Sequence, residues 1–303
     1  MGPTVEPTAG PSSDPTPGPT SVPTTSPTGD PTVEPTTNPT FAPTVINEPH
    51  MCVGERSTCS VWHQEVKCWG DRSVVDPEYT GGAVEYWYRP QIDELDIGEN
   101  FTAESVSCGL THQCALSWNG TVRCWGNNTF GQLGYENTGY FNDSDNFGTD
   151  IDFGTDVLIE DMGSGTDFNC ILSEDGDVKC FGRNEYGQLG YGDTDSIGDD
   201  SSEMGDSLSA VDLGDTFSTS QISVGGHHVC AVSDDGDVKC WGRNDYGQLG
   251  YEDTENRGDG SSEMGDDLPV VDLGDTFTAS QVVAGALHTC AVSTSMELKC
   301  WGK

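Results

Sequence analysis

The chain repeats itself. Residues 230–251 read CAVSDDGDVKCWGRNDYGQLGY, and residues 170–191 read CILSEDGDVKCFGRNEYGQLGY. Set side by side, 170–229 and 230–289 agree at about 39 of 60 positions. Looser copies begin at Cys114 (CALSWNGTVRCWGNNTFGQLGY) and Cys59 (CSVWHQEVKCWG), and a fifth, CAVSTSMELKCWGK, begins at Cys290. Self-similarity at a period of about 55–60 residues means an array of equal supersecondary units, each burying its apolar face only by stacking on its neighbours.

Within a unit, Cys230-Ala-Val-Ser and Asp237-Val-Lys-Cys240 flank Asp234-Asp235-Gly236. A three-residue loop ending in Gly fits a type I turn closed by a left-handed residue, a common hairpin connection. That register sets Ser233 opposite Asp237, Val232 opposite Val238 and Cys230 opposite Cys240. Opposed residues on antiparallel strands lie within disulfide reach. In the first copy Cys59 and Cys68 are one residue closer, yet a two-residue loop at His63-Gln64 brings them opposite again. The spacing changes and the facing does not, as bonded sulfurs require.

Trp-Gly follows the hairpin, then Gly-Gln-Leu-Gly, a polar stretch, Val-Val-Asp-Leu and Gln-Val-Val-Ala-Gly. This reads as four short strands per unit with Gly-rich turns and no helical period. Four-stranded units repeated radially describe a β-propeller, an all-β fold. The recurring H-x-C-A-[VL]-S-x-D-G-x-V-x-C-W-G-x-N-x-x-G-Q-L-G resembles the regulator of chromosome condensation repeat, in the Cys-paired form of secreted or surface proteins. The resemblance covers nearly all of 50–303 and implies a propeller, usually of seven blades. Four full units are present (approximately 52–107, 108–163, 164–223 and 224–283) with a partial fifth at 284–303, so an incomplete ring is expected over 49–303.

Residues 1–48 are a different material. From 3 to 43 every fourth residue is Pro, and ten of those eleven prolines precede Thr. Poor in apolar residues, this tract cannot form a core and reads as a disordered linker or stalk. Extended as polyproline II it would reach roughly 130 Å at about 3.1 Å per residue. Met1-Gly-Pro-Thr has neither the basic start nor the apolar stretch of a signal peptide, so secretion would need a leader not present here. No run of eighteen apolar residues occurs, so no direct membrane insertion is expected.

Twelve cysteines are an even set. Ten form five hairpin pairs: Cys59 with Cys68, Cys114 with Cys124, Cys170 with Cys180, Cys230 with Cys240, and Cys290 with Cys300. Cys52 and Cys108 remain, each in the strand before a hairpin, and either bond to each other or stay unpaired. A bridge closing so short a loop stabilises by about 2.5–3 kcal/mol on the chain-entropy model. Regular pairing of this kind belongs in an oxidising compartment, hence extracellular or cell-surface. Sequons at Asn100, Asn119, Asn127 and Asn142 agree with that route.

Fifty-one acidic residues against twelve basic ones give a net charge of −39. The best-known member of the resembled family loads a small GTPase with nucleotide and docks on nucleosomes through basic surfaces. Phosphate binding needs Lys and Arg to release counterions, and this chain has no basic cluster, so nucleic acid is excluded as a partner.

The remaining motifs have plain readings. Asp193–Asp206 and Asp253–Asp266 begin like calcium loops, with Asp193, Asp195 and Gly198, then Asp253, Glu255 and Gly258. Position 5, however, is Ile197 or Arg257, and position 12 is Met204 or Met264, where a bidentate carboxylate belongs. They read as solvated acidic loops, with weak divalent binding as the alternative; Asp143–Asp156 reads the same way. Gly205-Asp206-Ser207-Leu208 matches a hydrolase signature, yet the next copy has Asp267 in place of the serine. His112, His228 and His288 stand two residues before a hairpin Cys. The Cys spacing is wrong for zinc, so a packing or hydrogen-bonding role between blades is expected. Trp69, Trp125, Trp241 and Trp301, with Phe181 in the same slot, read as core.

No nucleophile, base and oxyanion donor converge, so no enzyme, catalytic residue, metal site or cofactor is expected. The leading expectation is a non-enzymatic extracellular or cell-surface module binding a protein or glycan through propeller loops. The alternatives are an intracellular exchange-factor-like or ubiquitin-pathway scaffold, and a calcium-dependent adhesin. Peptide mapping without reductant should recover the five hairpin pairs as intact links; free thiols or links between different pairs would overturn the assignment.

Overall fold

The computed structural model describes residues 50–55, 57–70, 95, 97–98, 101–139 and 149–303. The Pro/Thr tract at 1–48 lies outside the described residues. Among the described residues fifteen strands form five antiparallel three-stranded sheets, each in chain order. The first holds β1 (His50–Val53), β2 (Ser57–Trp62) and β3 (Glu65–Gly70); the second β4 (Ala103–Cys108), β5 (His112–Ser117) and β6 (Val122–Gly126). The third holds β7 (Ile159–Ser164), β8 (Phe168–Ser173) and β9 (Val178–Gly182); the fourth β10 (Thr219–Val224), β11 (His228–Ser233) and β12 (Val238–Gly242). The fifth holds β13 (Ala279–Ala284), β14 (His288–Ser293) and β15 (Leu298–Gly302). Each sheet packs on the next, as blades of a β-propeller do.

The hairpin register is the one the turn residues dictate. Cys230 faces Cys240 and Val232 faces Val238, and Gly236 closes the loop at φ 84°. Cys114 faces Cys124 and Cys290 faces Cys300 in the same way. In the first blade His63 and Gln64 take φ 52° and 72°, a two-residue turn that sets Cys59 opposite Cys68.

Two features differ from expectation. Among the described residues each sheet has three strands rather than four. The Val-Asp-Leu segment makes only one main-chain bond to the third strand, such as Val211 N–H to Val178 O (2.7 Å) and Val271 N–H to Val238 O (2.8 Å). The ladder stops because the next Asp folds back: Asp212 and Asp272 Oδ1 accept from the amides of Gly214 and Gly274, both at 2.9 Å. In addition, the strand closing each sequence unit belongs with the hairpin opening the next. The fifth sheet therefore starts at Ala279 rather than near 284, and the unit boundaries cut through blades.

The core lies between sheets. The face carrying Cys170, Leu172, Val178 and Cys180 packs on Val229, Ala231 and Trp241 of the fourth blade. The other junctions repeat this plan: Cys59 and Cys68 against Trp125, Cys114 and Cys124 against Phe181, and Cys230 and Cys240 against Trp301. The fifth blade's corresponding face is uncovered. Leu298 there is 63% exposed, where Val238 in the same slot is 1%, and Cys300 is exposed where Cys124 and Cys240 are buried.

The Gly-Gln-Leu-Gly turn locks the junction. The Trp241 indole N–H donates to Gln188 O (3.1 Å) and the Trp301 indole to Gln248 O (2.9 Å). Gly190 sits at φ 79°, and a Cβ there would lie 2.8 Å from Trp241 Nε1. Gly247 also has positive φ (72°), but its nearest neighbour would be 3.7 Å away. Gly247→Ala should therefore cost only the backbone strain, about 1–2 kcal/mol, and Gly190→Ala distinctly more. Equal shifts in urea midpoint would remove the indole contact from the account.

Candidate functional site: a cation–aromatic rim

Two loop positions recur beside each third strand: one residue after Trp/Phe-Gly, and an aromatic three residues later. They are Arg183 and Tyr186, Arg243 and Tyr246, with Phe130 before them and Lys303 after. Stacking brings each cation onto the aromatic of the preceding blade. Arg183 lies 4.7 Å from the Phe130 ring centre, Arg243 4.8 Å from Tyr186, and Lys303 Nζ 4.5 Å from Tyr246. Asp167 pairs with Arg183 at 3.3 Å, Glu185 also pairs with it, and Asp245 pairs with Arg243 at 2.5 Å. The Asp245 hydrogen bond holds Arg243 more firmly protonated than usual. The His227 ring stands edge-on to Tyr186; burial, then the nearby Arg243 and Arg183, push its pKa down. With Tyr246 43% exposed, the result is a partly open row of alternating charge and aromatic surface crossing four blades. Sequence reasoning missed it because the partners lie more than fifty residues apart. Its signal was the repeated Arg-Asn-x-Tyr-Gly.

Other cations are ties between blades. Arg123 Nη1 donates to Ile97 O, Lys179 Nζ to Phe153 O, Lys239 Nζ to Leu213 O and Gly265 O, and Lys299 Nζ to Leu273 O, at 2.7–3.0 Å. Arg257 pairs with Asp253 at 2.6 Å and Lys67 with Glu65 at 3.3 Å. Every Lys and Arg among the described residues thus has a partner within the chain; Arg56, Arg72 and Arg89 lie outside that set.

The acidic loops turn their carboxylates inward. Glu203 Oε2 accepts from Gly198 and Asp200 amides, and Glu263 Oε2 from Gly258 and Gly260 amides, at 2.8–3.1 Å. Asp193 and Asp253 Oδ1 accept from Asn184 and Asn244 side chains. Met204 is buried in the core between the second and third blades, and Ile197 bridges back to Gly182. Of Asp143–Asp156, residues 143–148 lie outside the described part. No group of three or more His, Cys, Asp or Glu arranged to hold a metal occurs among the described residues. Gly205–Ser207 is a single 3-10 turn, and Asp206 accepts from the Thr155 amide at 2.6 Å across to the preceding blade. That amide, then the Thr155 hydroxyl, holds the Asp206 carboxyl below its usual range.

Of the three histidines, His112 and His228 are fully buried between blades. Their Nε2 atoms lie 2.9 Å from Asn169 Oδ1 and Thr289 Oγ1 of the next blade. His288, in the same slot of the fifth blade, is exposed.

The sulfurs of all five hairpin pairs stand at bonding distance. Cα separations are 4.1 Å for Cys59 with Cys68, for Cys170 with Cys180 and for Cys230 with Cys240. They are 4.0 Å for Cys114 with Cys124 and for Cys290 with Cys300. Cys52 and Cys108 are also at bonding distance, with 5.4 Å between Cα atoms, across the first two blades. The two choices left open for that pair thus reduce to one. Asn119 lies in an exposed hairpin turn, whereas Asn127 Oδ1 is taken by the Thr129 amide and hydroxyl.

Models of the regulator of chromosome condensation (RCC1) repeat match residues 103–132, 159–188 and 220–248 and residues 235–292. The chain is 31% identical over 209 residues to the ultraviolet-B receptor UVR8 of Arabidopsis thaliana, covering 66% of this chain and 44% of UVR8. Among solved structures it superposes on human WBSCR16 with a TM-score of 0.66 at 18% identity, covering 84% of this chain and 62% of that one. With Prp20p of Saccharomyces cerevisiae, a structure described with its binding properties to Gsp1p and histones, the TM-score is 0.60 at 20% identity, covering 82% and 56%. The chain spans less than half the length of the curated relatives it matches.

Rim and ties should separate in stability measurements. Arg243→Ala should lower the unfolding free energy by about 0.5–1 kcal/mol. Lys239→Met, which strands two carbonyls, should lower it by about 1–3 kcal/mol. The reverse order in chemical denaturation would make the rim structural.

Proposed function

Because the chain belongs to the regulator of chromosome condensation repeat family, we propose that it is a non-enzymatic interaction module working outside the cell or at its surface, with the cation–aromatic rim as its protein-binding face. The carrying observation is that all twelve cysteines stand in six pairs at bonding distance with none left free. Such economy suits an oxidising compartment and serves no purpose where thiols are kept reduced. The rim supports the binding half of the reading: aromatic and Arg side chains are the groups that dominate protein interfaces. The surrounding carboxylates favour a partner that brings its own positive charge.

An intracellular scaffold of the same family is the alternative, and the oxidation state of the cysteines in the native protein distinguishes the two. Thiol trapping of protein taken from its own cells should leave all twelve cysteines unlabelled until reductant is added. Full labelling in unreduced extract would refute the extracellular reading. For the binding half, Arg183→Glu with Arg243→Glu should abolish capture of whatever protein the wild type crosslinks on intact cells. Undiminished capture would move the site off the rim. DNA should not shift in a gel at about 150 mM salt, since no unpaired cation among the described residues is offered to phosphate; submicromolar binding would defeat that argument.

A further inference from the structure

We propose that the junctions between the second and third blades and between the fourth and fifth are acid-opened latches, with His112 and His228 as their titrating groups, while the junction between the third and fourth stays shut. This goes beyond the binding role and stands without it.

The hydrogen-bond directions are fixed by third parties. Asn169 Nδ2 donates to Gln132 O at 2.6 Å, leaving Oδ1 to face His112 as an acceptor. Thr289 Oγ1 donates to Gln248 O at 2.8 Å, leaving its oxygen to accept from His228. Both imidazoles must therefore carry a proton on Nε2, and in the neutral ring Nδ1 is bare. In both residues Nδ1 is buried with no hydrogen-bond partner, pressed on the backbone of Gly109 and Gly225, where a Cβ would lie 2.4 and 2.7 Å from it. A proton arriving there would place an unpaired N–H and a full charge in a buried interface. Opening the junction gives that proton to water instead.

The same slots elsewhere do not titrate. Between the third and fourth blades they hold Phe168 and Val229, both fully buried in one apolar cluster. Between the first and second, Gln113 Nε2 donates to Ser57 Oγ at 2.8 Å. The latches thus sit on either side of a junction whose matching slots are apolar. His227 stands at that junction too, against Tyr186, but outside those slots; burial, then Arg243 and Arg183, lower its pKa, and the carboxylates of Asp167 and Glu185 oppose them by favouring its charged form. The rim contacts Arg183–Phe130 and Lys303–Tyr246 cross the same two latches and would part with them.

The charged neighbours agree with the direction. Burial, then His227 and His288, push the His228 pKa from its ordinary 6.5 to about 4. Burial lowers that of His112 too, opposed by the Asn169 bond and then by Asp167. A pKa depressed in the closed form and ordinary in the open one leaves the latch fully effective above about 6.5. It weakens by up to about tenfold per pH unit below that, until the closed-state pKa is reached.

Three backbone amides report the junctions separately. The Leu110 amide donates to Thr166 O across the second and third blades, and the Thr166 amide to Gly226 O across the third and fourth. The Val282 amide donates to Gln221 Oε1 across the fourth and fifth. Hydrogen-exchange protection factors, measured by NMR on the full chain from about pH 7 to about pH 4, should fall at Leu110 and Val282 by up to about tenfold per unit and hold at Thr166. The paired variant His228→Phe with Thr289→Val, which copies the apolar junction, should keep Val282 protected. A parallel fall at Thr166, or a fall at Val282 that survives the paired variant, would assign the effect to general acid unfolding and overturn the proposal. Imidazole titration of the wild type gives an independent check: a His228 pKa near 6.5 with protection intact would also overturn it.

Discussion

Everything in this fold hangs on one contact made repeatedly: the cysteine-bearing face of one blade against the aromatic of the next. A single blade cannot bury its apolar face alone, and without that burial it cannot offset the entropy of ordering its residues. Each blade is stable because Val178, Cys180 and their neighbours are covered by Trp241, which in turn gives its indole proton to Gln188 O in the blade before. The bond direction matters. For Trp241 and Trp301 the indole N–H is satisfied by the turn of the blade it covers, so at those two junctions apolar burial and hydrogen bonding select the same neighbour and the same register. Lys239 adds a third tie in the same sense, from its own strand back to Leu213 O. Blade order is thereby written in side chains pointing backwards along the chain.

How far this could be read in advance depended on whether the physics was local. The hairpins were legible because turn chemistry alone fixes their register, and the change from a three- to a two-residue loop at His63-Gln64 kept Cys59 and Cys68 opposed. The aromatic slot was legible because it recurs. The missing fourth strand was not, since Val-Val-Asp-Leu has strand-like residues and only the Asp272 carboxylate, turning onto the Gly274 amide, ends the ladder. The rim was illegible for a different reason: Arg-Asn-x-Tyr-Gly recurs within each unit, but Arg243 meets Tyr186 only after two blades stack.

The histidine slot shows how a repeat carries variation without losing its plan. Two residues before the hairpin cysteine stand Ser57, His112, Phe168 and His228, and facing them in the next blade stand Gln113, Asn169, Val229 and Thr289. Polar meets polar and apolar meets apolar at all four junctions. A His opposite Val229 would leave Nε2–H unpaired in a buried apolar site, and a Phe opposite Asn169 would strand an amide oxygen. The two positions therefore vary together although they lie some sixty residues apart. Identity in the repeat marks what every blade needs, and matched difference marks what each junction needs.

The charge of −39 has a structural part that changes what it says about partners. Glu136 Oε1 accepts from the amides of Ser202, Glu203 and Met204, Glu203 and Glu263 each take two loop amides, and the Val-Asp-Leu aspartates cap their own turns. Long loops crossing a small fold have many main-chain N–H groups and few ladders to receive them, and a carboxylate accepts several at once. Much of the acidity is thus loop scaffolding, arising from the same shortage of regular structure that limits each blade to three strands. A field made this way surrounds the blades and steers cationic molecules toward them without choosing among them. Choice needs a surface that differs from place to place, and the rim, where Arg183 and Arg243 interrupt the negative field between aromatic rings, is such a surface.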